Sequence, residues 1–198
     1  VRAVTVEPTV DLAAVPSGLA AAGGDVEMRP SWRGRMHTWW FALAIPAGAL
    51  LVLSAERASA RVGASIYAAT LLLVFGTSAA YHRLARSPRA RVVMQRLDHS
   101  MIYLLIAGTY VPLCLVAVPY SWGIPVLAAV VACAIVGIVL KLTAFHRAQV
   151  LASALYPIMG WTAIVALPVL LDHLTWAQVA LILAGGIAYT VGFPVLLV

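Results

Sequence analysis

Six apolar runs of about twenty residues each, separated by short polar turns, constrain this chain more than any motif does. A helix that crosses the hydrocarbon core of a bilayer needs about 20 predominantly apolar residues. The runs cover roughly residues 36–54, 62–84, 98–118, 123–142, 150–171 and 176–198. Composition points the same way, with 63% hydrophobic and 10% charged residues. A soluble domain carries roughly 45–50% apolar and about 25% charged residues. The fold class is therefore an all-α membrane protein, a polytopic helical bundle with six spans.

Residues 1–30 hold Pro8, Pro16, Gly18, Gly23, Gly24 and Pro30 among small and acidic residues. They are read as a disordered tail. Residues 31–198 are read as one transmembrane helical domain. No cleavable leader is expected, because the first residues have no apolar core. The chain begins with Val1 rather than Met, which is read as a non-ATG start or a trimmed chain. Trp39 and Trp40 mark the headgroup level of the first span, and Pro46 is expected to kink it.

Charge sets the orientation. The net charge is +6. Basic residues gather before the first run, between the second and third (Arg83, Arg86, Arg89, Arg91, Arg96), and between the fourth and fifth (Lys141, His146, Arg147). The excess of Lys and Arg in cytoplasmic loops puts the N-terminus and the arginine-rich loop inside, in the plasma membrane. All the basic residues lie outside the apolar runs or at their ends. They are read as topology signals and contacts to anionic headgroups, so membrane lipids are the expected partners. Nucleic-acid binding is set aside, because the arginines lie between spans and not on a folded soluble face. Cys114 and Cys133 sit inside apolar runs without CxxC spacing, and no disulfide or thiol chemistry is inferred.

The chemistry-bearing residues lie in Phe75–Pro112. Ser78 and His82 are four apart and share one helix face. Asp98 is read as opening the third helix, across a loop short enough for antiparallel packing. A hydroxyl, an imidazole and a carboxylate suit a metal ligand with polar support, or a general acid/base pair. A structural alternative stands beside this. His82 then sits at the interface next to Arg83, and Asp98 pairs with Arg96 or caps the third helix. His99 is about 100° further around the helix and is read as facing elsewhere. His37 and His146 are read as interfacial, and Tyr156, Trp161 and Tyr189 as packing aromatics. His173 falls on the opposite side of the membrane. One His and one Asp do not make a catalytic zinc site, which takes three protein ligands and a water.

Several motifs in order resemble the hemolysin III family, the bacterial branch of the progestin and adipoQ receptors. They are Ser78-Ala79-Ala80-Tyr81-His82, Arg96-Leu97-Asp98-His99-Ser100-Met101-Ile102-Tyr103, and Ile106-Ala107-Gly108-Thr109-Tyr110-Val111-Pro112. Gly137-Ile138-Val139-Leu140-Lys141, Tyr156 with Met159-Gly160-Trp161, and Ala184-Gly185-Gly186 with Tyr189-Thr190-Val191-Gly192 agree as well. The likeness covers about residues 33–192.

The resemblance implies a seven-helix bundle with a cytoplasmic N-terminus, related to alkaline ceramidases and carrying an intramembrane zinc. It implies His82 as a zinc ligand, with Ser78 and Asp98 as catalytic or supporting groups. Two more histidines, spaced HxxxH, would come from a seventh helix. This sequence has neither a seventh run nor HxxxH. The seventh span is therefore read as missing, through truncation, frameshift or a partner that supplies the ligands. The complete zinc site is not expected to assemble from this chain. The implied activity of the complete form is zinc-dependent hydrolysis of a lipid amide or ester, or a role in membrane homeostasis. The alternatives are a membrane-lytic pore and a lipid-sensing receptor. Against the pore, the runs read as permanently inserted, and no polar stripe lines a channel.

Overall fold

In hydrocarbon each backbone N–H and C=O must find its partner within the protein, so each apolar run closes its own helical ladder. The computed structural model describes residues 31–197. The tail read as disordered, residues 1–30, lies outside the described residues.

The helices are α1 (Ser31–Leu53), α2 (Ala58–Leu84), α3 (Pro88–Pro112), α4 (Tyr120–Thr143), α5 (Gln149–Trp161), α6 (Leu167–His173) and α7 (Trp176–Leu197). A π-helical turn, Leu113–Ala117, extends α3, and a 3-10 turn, Thr162–Ala166, joins α5 to α6. Six helical spans long and apolar enough to cross a membrane result among the described residues, with α5, the 3-10 turn and α6 forming one of them. The outward side chains are apolar: Leu43, Leu50, Val139, Leu181 and Val191 are all exposed, as lipid contact requires.

The third span corrects the sequence reading. Asp98 does not open its helix. The helix begins ten residues earlier, where the Ser87 hydroxyl accepts from the Ala90 N–H at 3.2 Å and Pro88 takes the first position. Hydropathy marks where a helix enters lipid, not where it starts. Arg89, Ala90, Arg91, Met94 and Gln95 are sound helix formers, so most of the arginine-rich loop is helix. The capping role considered for Asp98 belongs to Ser87, and Arg96 donates to the Leu142 carbonyl at 2.8 Å. α1 runs unbroken through Pro46.

Neighbouring helices are antiparallel and approach through small residues, the usual way helices associate in lipid. α1 meets α2 at Gly34 beside His82 and at Gly48 beside Ala68. α2 meets α3 at Gly63 beside Pro112, and at Thr70 beside Gly108. α3 meets α4 where the Tyr103 ring lies on Gly137.

The core is stitched by tyrosines of α3. Tyr103 is fully buried, stacks on Tyr156 at a centroid distance of 4.3 Å, and donates to the Ala152 carbonyl at 2.5 Å. Tyr110 repairs the break after α5. Its hydroxyl donates to the Met159 carbonyl at 2.7 Å, with the Gly160 carbonyl at 3.1 Å, and accepts the Ala163 N–H at 2.8 Å. The Met159 carbonyl and the Ala163 N–H, four residues apart, would pair directly in an unbroken α-helix.

The packing makes a paired prediction. A methyl at Gly137 runs into the rigid Tyr103 ring, whereas one at Gly185 meets nothing within 4 Å. Gly137→Ala is expected to cost about 1–3 kcal/mol as overpacking. Gly185→Ala should be neutral or stabilising by up to about 1 kcal/mol through helix propensity. Thermal unfolding in detergent compares the two, and equal shifts would contradict this packing.

Candidate functional site

The ends of α1, α2 and α3 at the arginine-rich end of the bundle bring polar residues together. Gly34 lets α1 pass close to the end of α2, since a Cβ there would lie 3.0 Å from the His82 Cβ. Arg83 fixes the crossing by donating to the Thr38 hydroxyl at 3.1 Å. One turn beyond Gly34, His37 then falls beside Ser78, with its Nδ1 3.3 Å from the Ser78 Oγ. The His37 and His82 rings stack nearly parallel, 6.0 Å between centroids and 7° between planes. On the other side, the Asp98 carboxylate of α3 faces the same Ser78 hydroxyl and lies within electrostatic range of His37. Ser78 is only 7% exposed.

Ser78, His82 and Asp98, the residues singled out in the sequence, thus gather at one place. Asp98 reaches it from within α3. His37 is the residue sequence reasoning missed. Its only sequence signal, a position just before Trp39 and Trp40, points to the interface and not to a partner on α2.

An open, apolar cavity of about 370 Å³ lies along the same three helices. Phe41 lines it from α1, Leu73, Gly76 and Ala80 from α2, and Leu97 from α3. Leu73, Gly76 and Ala80 lie about 140–160° around α2 from Ser78, so the cavity opens on a different face of that helix from the hydroxyl.

A second polar region occupies the opposite flank of α3. His99 does face away from Asp98, as its position on the helix suggested. It borders a cavity of about 200 Å³ between α3, α4 and the start of α5, together with Gln95, Lys141, Phe145, Gln149 and Tyr156. Lys141 is 2% exposed, which departs from the reading of the basic residues as topology signals and headgroup contacts. Its Nζ sits 5.1 Å from the Phe145 ring centre and 5.7 Å from that of Tyr156. Such cation–π contacts contribute about 0.5–2 kcal/mol each. An ion leaving water loses several kcal/mol, so the rings alone do not offset the burial. Tyr156 packs as expected, but its hydroxyl also donates to the His99 carbonyl at 2.9 Å. His146 is exposed, its ring edge-on to Phe145. His173 ends α6 at the far end of the bundle and is exposed, with its Nδ1 2.8 Å from the Val169 carbonyl.

Zinc is the cofactor the resemblance implies, and the donors gathered here do not fit it. Among the described residues no group of three or more His, Cys, Asp or Glu side chains comes together as a metal site.

Fold and site together define an integral, multi-pass helical membrane protein with polar residues gathered at one end. Residues 27–197 match the family described as haemolysin-III related, and the chain belongs to that family. It is 41% identical to Hemolysin-3 of Bacillus cereus over 154 residues, covering 76% of this chain and 69% of that protein. It is 33% identical to the Hemolysin-3 homolog of Bacillus subtilis (strain 168) over 153 residues, covering 76% of this chain and 71% of the relative. No solved structure matches the chain.

The donor geometry predicts the metal content. Purified in detergent, the 198-residue chain should hold well under one zinc per chain by elemental analysis. Stoichiometric zinc that disappears in His82→Ala would mean that another copy or residues outside 31–197 complete the site.

Proposed function

We propose that the chain acts on a membrane lipid at the Ser78–Asp98 cluster, hydrolysing an amide or ester bond close to the headgroup. One observation carries this reading. A buried hydroxyl stands between an imidazole and a carboxylate inside a bilayer-spanning bundle, where ionisable groups are costly and usually functional.

In this reading Asp98 takes a proton from an attacking water, and the water oxygen bonds to the carbonyl carbon. Ser78, held by His37, donates to the developing oxyanion or orients the carboxylate. The C–N or C–O bond then breaks, and the proton held by Asp98 passes to the leaving amine or alcohol. His82 is the imidazole available to a zinc ion at this end. Residues 31–197 gather no complete donor set around it. The charge distribution supports placing the arginine-rich end and the N-terminus in the cytoplasm, with the plasma membrane as the location.

A second reading, membrane lysis, rests on the name of the relative, Hemolysin-3. Liposome experiments separate the two. With a fluorescent ceramide or ester lipid as substrate, Asp98→Asn should lower turnover about 10²–10⁴-fold, the usual range for losing a general base. Ser78→Ala should lower it about 10²–10³-fold. No turnover by the wild type, together with dye leakage that survives both substitutions, would favour lysis. The orientation has its own measurement. In intact cells, Arg86→Cys should resist a membrane-impermeant thiol reagent and Asp172→Cys should react; the reverse pattern would invert the topology.

A further inference from the structure

We propose that the cavity between α3, α4 and α5 is an anion site that takes a phosphate group, with Lys141 as its central cation. This goes beyond the hydrolytic reading and does not depend on it, because the cavity lies on the other flank of α3 from Ser78.

The argument begins with charge. Lys141 is 2% exposed and lines the cavity, so its ammonium group is withdrawn from bulk solvent but faces the enclosed space. No carboxylate lines that space. Among the described residues the acids are Glu56, Asp98 and Asp172. Glu56 and Asp172 lie at the far end of the bundle, and Asp98, which faces Ser78 and His37 and lies within electrostatic range of Tyr156, does not line the cavity. The aromatic rings of Phe145 and Tyr156 approach the ammonium group but carry no net charge. Among the described residues no carboxylate stands against this buried cation, which calls for an anion from outside them.

The remaining lining suits an oxyanion. Gln95 and Gln149 bring amide N–H groups, His99 an imidazole, and Lys141 three N–H donors on a compact charge, the form in which lysine binds phosphate. The cavity of about 200 Å³ exceeds the roughly 30 Å³ that one water occupies in the liquid. It has room for a phosphate group and a few waters, but not for an acyl chain. Gln149 and His146 on its rim are exposed, so it opens at the arginine-rich end, where anionic headgroups collect. The phosphate can therefore come from a lipid headgroup or from free phosphate.

The test uses the full chain purified in detergent, with binding read by native mass spectrometry and by thermal shift. The probes are dioctanoyl phosphatidic acid, inorganic phosphate, and dioctanoylglycerol as the phosphate-free control. The wild type should bind the phosphatidic acid and not the glycerolipid, and Lys141→Met should weaken binding by about 10–100-fold, as expected for losing one charged hydrogen bond. Lys141→Arg should keep most of it. Binding of both phosphatidic acid and inorganic phosphate supports a site open to free phosphate; binding of phosphatidic acid alone supports a headgroup site. Gln149→Glu supplies the missing carboxylate at an exposed first-turn position that tolerates an acid. It should lower affinity in a folded protein, and it decides the matter if Lys141→Met fails to fold. The proposal is overturned if the wild type binds neither phosphate probe. It is equally overturned if folded Lys141→Met or Gln149→Glu binds phosphatidic acid as the wild type does.

Discussion

Hydrocarbon offers no hydrogen bonds, and the architecture of this protein answers that absence. Each span closes its backbone ladder alone, and wherever the ladder fails another side chain steps in. The break between α5 and α6 shows this best. At the 3-10 turn Thr162–Ala166 the Tyr110 hydroxyl, arriving from α3, stands between the Met159 carbonyl and the Ala163 N–H and bonds to both. Tyr103 and Tyr156 serve in the same way, each reaching a backbone carbonyl of the other's helix. These tyrosines make α3 the hub of the bundle. An apolar ring of the same size would fill the space but leave the carbonyls and the Ala163 N–H without that partner.

Such a hub has two flanks, and the polar residues divide between them. Asp98 and His99 are adjacent in sequence, yet they serve different neighbourhoods because one residue of helix turns the side chain by about 100°. Towards α2 lie Ser78, His82 and, across from them, His37. Towards α4 and α5 lie Lys141, Gln149 and the aromatic pair around the lysine. Both regions sit at the end of the bundle where the arginines collect. A polar group there can reach water or a headgroup, whereas the middle of the span must stay apolar or be satisfied within the protein.

Much of this was legible in the chain. The apolar runs gave the spans to within a few residues at most ends, and the four-residue step from Ser78 to His82 placed both on one side of α2. The motifs identified the family that the comparisons then established. The start of α3 was not legible from hydropathy, because arginines end an apolar pattern without ending a helix. The Ser87-Pro88 pair was the better signal. Lys141 looked like one more charge at a span end. Its burial depends on Phe145 folding over it beyond the end of α4 and on Tyr156 rising from α5, and neither can be read from spacing.

The sequence by itself determined that this is a membrane bundle, which residues are helical within lipid, and which end carries the positive charge, because these follow from length, hydropathy and composition along the chain. The tertiary structure alone decided the register between helices. Gly34 against His82 and Gly48 against Ala68 set α1 along α2 and so carry His37 to Ser78. Thr70 against Gly108 sets α2 along α3 and brings Asp98 to the same hydroxyl. Tyr103 against Gly137 sets α3 along α4 and brings His99 to the cavity that Lys141 lines. The physical reason is steric. Where two helices pack without an aqueous hydrophobic effect to draw them together, small residues that admit a neighbour fix the sliding position. Which small residue meets which neighbour is a property of the assembled bundle.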